Sequence, residues 1–245
     1  MRSALANGEL QLHYQPIFDT ETGRITICEA LMRWQHPELG WISPAEFIPI
    51  AESSALIEPM TNWALAQACR DAMGWDEDIR VAVNISPALI KTDGLPRAVI
   101  SALLQSGLKA RRLELEVTES IFLEDDRRTH LILSELRRIG LRLALDDFGT
   151  GYSSLGALRT HEFDTIKVDQ SFVKLLGQDR QADALCETVL ALGKACGLDV
   201  VAEGVETPEQ LKALQEMGFE LGQGYLWAKA MPVDVASKWL TDSFI

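Results

Sequence analysis

The chain has 245 residues, 47% of them hydrophobic and 24% charged, the balance of a globular protein with a core of ordinary size. Its formal net charge of −13 argues against broad binding to DNA or RNA polymers or to anionic membranes, which need basic surface. No apolar run is long enough to insert in a bilayer, and the opening MRSALANGELQLHY lacks a signal peptide's apolar core.

Strand-like and helix-like segments alternate along the chain. The strands read as LQLHYQPIF (10–18), ITICEALMRW (25–34), RVAVNIS (80–86), LELEVTES (113–120), RLALDDF (142–148), TIKVD (165–169), DVVAEGVE (199–206) and LGQGYLWA (221–228). Between most of them lie amphipathic stretches with helix-start signals. SPAEFIPIAESS offers Ser43 as N-cap, Pro44 at the first helical position and Glu46 three residues after the cap. TPEQLKALQEMGF repeats the device with Thr207 and Pro208 and closes on Gly218. Four cysteines, Cys28, Cys69, Cys186 and Cys196, lie in apolar segments without close pairing, which suits buried thiols in a reducing cytoplasm better than disulfides.

Eight strands with helical connections, and no Gly-rich nucleotide loop, predict an α/β fold, a TIM-like (β/α)8 barrel, as one domain over 1–245. The link DTETGR between the first two strands is too short for a crossover helix. They must form a hairpin, so the barrel is expected to have an antiparallel first strand.

In such a barrel a site forms at the carboxyl ends of the strands, and unusual polar residues fall there one strand after another. Strand two carries Glu29 and Arg33 on one face, strand three Asn84, and strand four Glu116 with Glu119 beyond it. Strand five ends in Asp146 and Asp147, strand six holds Lys167, strand seven Glu203 with Glu206 following, and strand eight opens with Gln223. Each has an ordinary structural explanation taken singly: Asn84 as a helix cap, Glu203 and Lys167 as a structural ion pair, Asp146 or Asp147 as a cap. Together they describe one site.

Glu29, Asn84, Glu116, Asp146, Asp147 and Glu203 are all oxygen donors, and His13, His36, His130 and His161 lack zinc-ligand spacing. An oxygen-only set suits Mg2+ or Mn2+. Five carboxylates exceed what one divalent ion neutralises, and adjacent aspartates can serve two. Paired ions roughly 3.5–4 Å apart are the usual arrangement for in-line phosphoryl displacement. Arg33 and Lys167 read as phosphate and water contacts in this acidic cleft.

The same residues carry a resemblance. EALMRW (29–34), NIS (84–86), EVTES (116–120), DDFGTGYSSL (146–155), KVDQSFV (167–173), AEGVET (202–207) and QGYLWAK (223–229), together with YQPI (14–17) and FIPIAE (47–52), resemble the EAL-domain cyclic-di-GMP phosphodiesterases of bacteria, in order and over the whole chain. The resemblance implies hydrolysis of one phosphodiester bond of cyclic di-GMP to linear pGpG. By motif, Glu29, Asn84, Glu116 and Asp146 hold one Mg2+ or Mn2+, and Asp146, Asp147 and Glu203 hold the second. Lys167 orients or deprotonates the attacking water, Glu203 is an alternative general base, and Arg33 and Gln223 contact substrate, with Gln15 a weaker contact. Glu119 and Glu206 support these residues from behind, Glu119 by holding the DDFGTGYSS loop.

Two positions depart from the family pattern, Ala230 and Glu162 standing where proline is common. The resemblance further implies a homodimer, for which Leu155, Leu158, Phe172 and Leu176 are candidates alongside ordinary packing. It also implies upstream sensory or diguanylate-cyclase (GGDEF) domains in many relatives, so the chain reads either as a stand-alone cytoplasmic enzyme or as a domain of a longer, even membrane-tethered, parent. The rival readings are a catalytically silent cyclic-di-GMP receptor, disfavoured by the intact acidic set, and another metal-dependent barrel enzyme such as a glycerophosphodiesterase or an enolase-like lyase.

Overall fold

A computed structural model describes residues 1, 3–122, 127–150 and 163–242. Ten strands form one sheet: β1 (Leu10–Asp19), β2 (Ile25–His36), β3 (Gly40–Ile42), β4 (Arg80–Asn84), β5 (Leu113–Thr118), β6 (Arg142–Phe148), β7 (Thr165–Val168), β8 (Asp199–Glu203), β9 (Leu221–Gln223) and β10 (Met231–Pro232). Eight of them close a barrel, in the order β1-β9-β8-β7-β6-β5-β4-β2, with β2 returning to β1. From β2 through β9 every neighbouring pair is parallel, whereas β1 is antiparallel to both β2 and β9. The short Thr20–Arg24 link leaves no other option. Among the described residues no helix is long and apolar enough to cross a membrane.

Two strands were not legible in the sequence. The three-residue β3 folds back on the end of β2, and the two-residue β10 pairs with His13 and Tyr14 of β1. Both are too short for a periodicity signal. Two segments read as long strands end early. The strand read as 199–206 stops at Glu203 because Gly204 turns at φ +71°, and the one read as 221–228 stops at Gln223. Of the two helix starts, Thr207 forms a full capping box with Gln210, while the Ser43 side chain caps nothing and its helix is entered through Pro44. All four cysteines are free, three of them buried.

Period-two alternation sorts the strands into two environments. Outward-facing Cys28, Val83, Leu115, Leu145, Ile166 and Ala202 join the large core beneath the surrounding helices. The barrel interior is layered. At its lower end Arg142 lies 3.2 Å from Glu114 and 2.7 Å from Asp199, and Arg80 lies 3.5 Å from Glu114, so a buried glutamate sits between two guanidinium groups. Above them Ile17, Ile27, Ala82, Val201 and Leu221 form a separate apolar plug. The third layer, at the carboxyl ends of β2 to β9, is polar.

Leu176, one of the residues considered for a dimer face, is buried, and Phe172 packs against the core; Leu155, Leu158 and Glu162 lie outside the described residues. After β9 the chain crosses the backbone of Val205, with Val205 N–H donating to the Gln223 carbonyl and Leu226 N–H to the Val205 carbonyl, each at 3.0 Å. A Cβ on Gly224 would stand 2.0 Å from the Val205 oxygen and 2.3 Å from its nitrogen. Since backbone cannot step aside, Gly224→Ala is expected to cost about 3 kcal/mol or more of stability, measured by urea unfolding, whereas the same change at the open Gly177 turn costs far less.

Candidate active site

The polar layer is centred on Lys167, a 1% exposed ammonium on β7. Its Nζ lies 2.7 Å from Glu203 Oε1, 3.1 Å from Glu116 Oε1, 3.3 Å from Asp146 Oδ1 and 3.5 Å from Glu29 Oε2. Glu29 in turn accepts from Asn84 Nδ2 at 2.7 Å and from Gln223 Nε2 at 2.7 Å. Seven side chains from seven strands thus meet in one ring. The apolar plug below holds it at the level where the barrel opens.

Asp146 and Asp147 raise a geometric problem, because neighbours on a regular strand face opposite ways. The backbone solves it with an irregularity. The β6–β7 register shifts between Leu145 and Phe148, and Asp147 sits at φ +55°, a left-handed conformation unusual for a residue with a side chain. As a result one carboxylate oxygen from each of Asp146, Asp147 and Glu203 lies within 4.8 Å of the other two.

Comparison with known proteins places the chain in a family. The family model described as "EAL domain" matches residues 1–230. The chain belongs to the EAL domain family. Among relatives, it is 41% identical over 244 residues to the cyclic di-GMP phosphodiesterase NbdA of Pseudomonas aeruginosa, covering 98% of this chain and 31% of that one. It is 39% identical to the bifunctional diguanylate cyclase/cyclic di-GMP phosphodiesterase MucR of the same organism, covering 96% of this chain and 35% of MucR. The chain therefore spans about a third of the length of these curated relatives. A solved PaMucR phosphodiesterase in complex with c-di-GMP superposes with a TM-score of 0.91, at 38% identity over 96% of this chain and 97% of that one. A calcium and cyclic-di-GMP complex of Klebsiella pneumoniae BlrP1 gives 0.81, at 31% identity over 94% and 58%.

The donor set of this EAL domain fits a hard divalent cation. Five carboxylates, from Glu29, Glu116, Asp146, Asp147 and Glu203, face a single ammonium. Glu116 is fully buried, its Oε2 meets no donor among the described residues, and its Oε1 meets Lys167 at ion-pair distance without hydrogen-bond geometry. The buried Gln223 Oε1 is unpartnered as well. Buried acceptors left this way are costly unless a cation supplies the missing partner.

Electrostatics follow the crowding. Burial and then the neighbouring Glu29 carboxylate raise Glu116 well above the usual carboxylate range. Burial pushes Glu203 up to about 8, against the pull of Lys167, with Asp146 and Glu29 adding to it. Asp147 is raised to about 6 by burial, Asp146 and Asp169. Burial acts upward on Glu29 too, but Lys167, Gln223 and Asn84 outweigh it and hold this carboxylate below its ordinary value. Burial works against the Lys167 charge, and the four acids around it overcome that and raise its pKa well above the ordinary value.

The remaining sequence-identified residues lie around the ring. Gln15, opposite Glu29 in the β1–β2 register, donates to the Ala228 carbonyl at 3.2 Å. Arg33 stands four residues above Glu29 and is folded onto the Met32 carbonyl at 3.0 Å. Glu206 is exposed, 3.9 Å from Lys174. Glu119 is buried in a 3-10 turn outside the ring, and neither carboxylate oxygen has a hydrogen-bond partner among the described residues. Two cavities of about 350 Å³ flank the ring. One is lined by Gln15, Gln170, Lys174, Glu203, Glu206 and Tyr225; the other includes Arg33, Asn84 and Thr118 with a largely apolar wall. His13, not among the candidate site residues, shares a face of β1 with Gln15 and stands opposite Leu31 at the mouth. Its two-residue spacing from Gln15 was the available signal.

Carboxyls raised in the folded chain contribute stability that is present below the ordinary carboxylate pKa and lost as pH rises through their folded values, here about 6 for Asp147 and about 8 for Glu203. A cation that takes up the deprotonated oxygens reverses that loss. Adding Mg2+ or Mn2+ is expected to raise Tm more at about pH 8.5 than at about pH 6, as read by differential scanning calorimetry against an EDTA blank, with Ca2+ included as a second hard cation.

Proposed function

We propose that this EAL domain hydrolyses one phosphodiester bond of cyclic di-GMP, releasing linear pGpG. The observation that carries the reading is the ring of oxygen donors from seven strands about Lys167, in a chain whose relatives are named cyclic di-GMP phosphodiesterases. Glu29, Asn84, Glu116 and Asp146 would hold one divalent ion, Mg2+ or Mn2+, and Asp146, Asp147 and Glu203 the other. Such ions, when bound, acidify a water and screen the charge that develops on the phosphate.

The chain's own residues perform the rest. Lys167 orients the attacking water through its ammonium, and Glu203, 2.7 Å from that ammonium, takes up the water proton. Arg33 unfolds from the Met32 carbonyl to bind a phosphate oxygen by charge-assisted hydrogen bonds. Gln223 holds Glu29 and the substrate edge of the ring in place, and Gln15 closes the side toward β1. Glu119 and Glu206 brace the loops beyond β5 and β8. The acidic ring gives an anionic substrate little reason to enter unless cations are present, so substrate binding and metal loading are coupled. The domain acts within a larger assembly, as a homodimer or beside the further domains of a longer protein.

Incubating the purified chain with cyclic di-GMP and Mg2+ or Mn2+ is expected to give pGpG on chromatography, and EDTA is expected to stop it. Glu203→Gln is expected to lower kcat by about 10²-fold or more with the fold intact, and Glu29→Ala to abolish turnover. Binding without cleavage, persisting at protein concentrations that force dimers, would make this chain a receptor instead.

A further inference from the structure

Above the barrel mouth β1 and β2 continue as a hairpin, flanked by β3 and β10. One face of this extension is packed: Leu10, Leu12, Tyr14 and Trp34 are buried, and Trp34 meets Phe47 of the first helix edge-on. The other face continues the alternation that places Gln15 and Glu29 in the site. It carries His13 from β1, Leu31, Arg33 and Gln35 from β2, and Trp41 from β3, which pairs with Gln35. A diagonal hydrogen bond from Gln11 to Gln35, 3.3 Å, lies on that same face.

Trp41 is out of keeping with the packed aromatics. Trp34 and Trp75 are 7% and 6% exposed, whereas Trp41 is 56% exposed. Nor does it project idly. β2 lies between β3 and β1, and Trp41 pairs with Gln35, four residues along β2 from the Leu31 that pairs with His13, so the two residues are offset by about 10 Å across the strands and about 13 Å along them. Yet the Trp41 and His13 ring centroids are 5.7 Å apart, with the planes at 71°. The indole therefore folds inward over β2 at the level of Leu31 and Arg33, toward the mouth. His13 meets it edge-on. His13 and Leu31 lie two residues beyond the Gln15–Glu29 pair, about 7 Å up the strands. That is about the reach of a nucleoside from its phosphate to its base.

We propose that Trp41, set by His13, is the stacking platform for one nucleobase of the dinucleotide. This rests on the phosphodiesterase reading and adds a specificity-determining residue to it. A purine seated on the free indole face leaves its phosphate between Arg33 and the acidic ring. A platform already oriented by an edge contact loses little freedom on binding. Trp41 touches no reacting atom, so its contribution falls on substrate affinity; it is a positioning residue.

The test compares the parent chain with Trp41→Ala and Trp41→Phe by steady-state hydrolysis of cyclic di-GMP, and by calorimetric binding of the nucleotide to the Ca2+-loaded protein. Loss of one base–aromatic stack is expected to raise KM and Kd roughly tenfold in Trp41→Ala, with kcat within about twofold and Tm unchanged, and Trp41→Phe recovers most of the affinity. A parent that cleaves cyclic di-GMP while Trp41→Ala keeps the parental KM and Kd overturns the platform and leaves the phosphodiesterase reading standing. The same holds if Trp41→Ala loses kcat at unchanged KM. A parent that neither binds nor cleaves the nucleotide overturns both.

Discussion

One ammonium buried among four carboxylates is the interaction around which the upper barrel is organised. Lys167 is 1% exposed, and a lysine in that position keeps its charge only because Asp146, Glu116, Glu203 and Glu29 surround it. The dependence is mutual. Without the ammonium the carboxylates would face one another across the interior at a spacing that protonation alone could relieve. Even with it, Glu116 and Glu203 are driven upward, and among the described residues buried oxygens stay without a donor. Lys167 is thus a partial counterion: enough to let the barrel close, too little to satisfy the ring. That deficit makes the site receptive to divalent cations.

The layers beneath explain why the ring can exist. Alternation in a closed barrel sends every second residue inward, so a polar ring must be stacked on something that keeps water and neighbouring charges away. Ile17, Ile27, Ala82, Val201 and Leu221 do this, and the Arg80–Glu114–Arg142–Asp199 network closes the lower end with charges already paired. The rigidity of this stack also supports the one irregular strand. The bulge between Leu145 and Phe148 and the left-handed Asp147 carry conformational strain of about 1 kcal/mol or more, tolerated because neighbouring strands on both sides fix the flanking residues. In return two consecutive aspartates share one face.

Much of this is legible in the sequence. Polar residues set singly among apolar neighbours on strand after strand pointed to one end of one barrel, and the DTETGR link announced the reversed first strand. Lys167 and Glu203, considered both as a structural pair and as site residues, are in fact 2.7 Å apart within the ring, so the two descriptions coincide. What alternation could not show was placement beyond the barrel. His13 was set aside because its spacing suits no metal, although the parity it shares with Gln15 puts it at the mouth. Trp41 lies on a three-residue strand with no pattern of its own, and only the chain reversal after His36 brings it back over β2.

The division has a physical basis. Sequence alone determined what depends on local periodicity and on residue chemistry: the strands and their inward faces, the hairpin at the start, the capping box at Thr207, and an oxygen-only set of donors. The tertiary structure decided what depends on where separate strands meet: that Lys167 stands at the centre of the ring, that a bulge turns Asp147 to the same side as Asp146, and that Trp41 crosses a strand to meet His13. Distances between strands, and the backbone departures that adjust them, arise from closure of the whole barrel, and no local stretch of sequence encodes them.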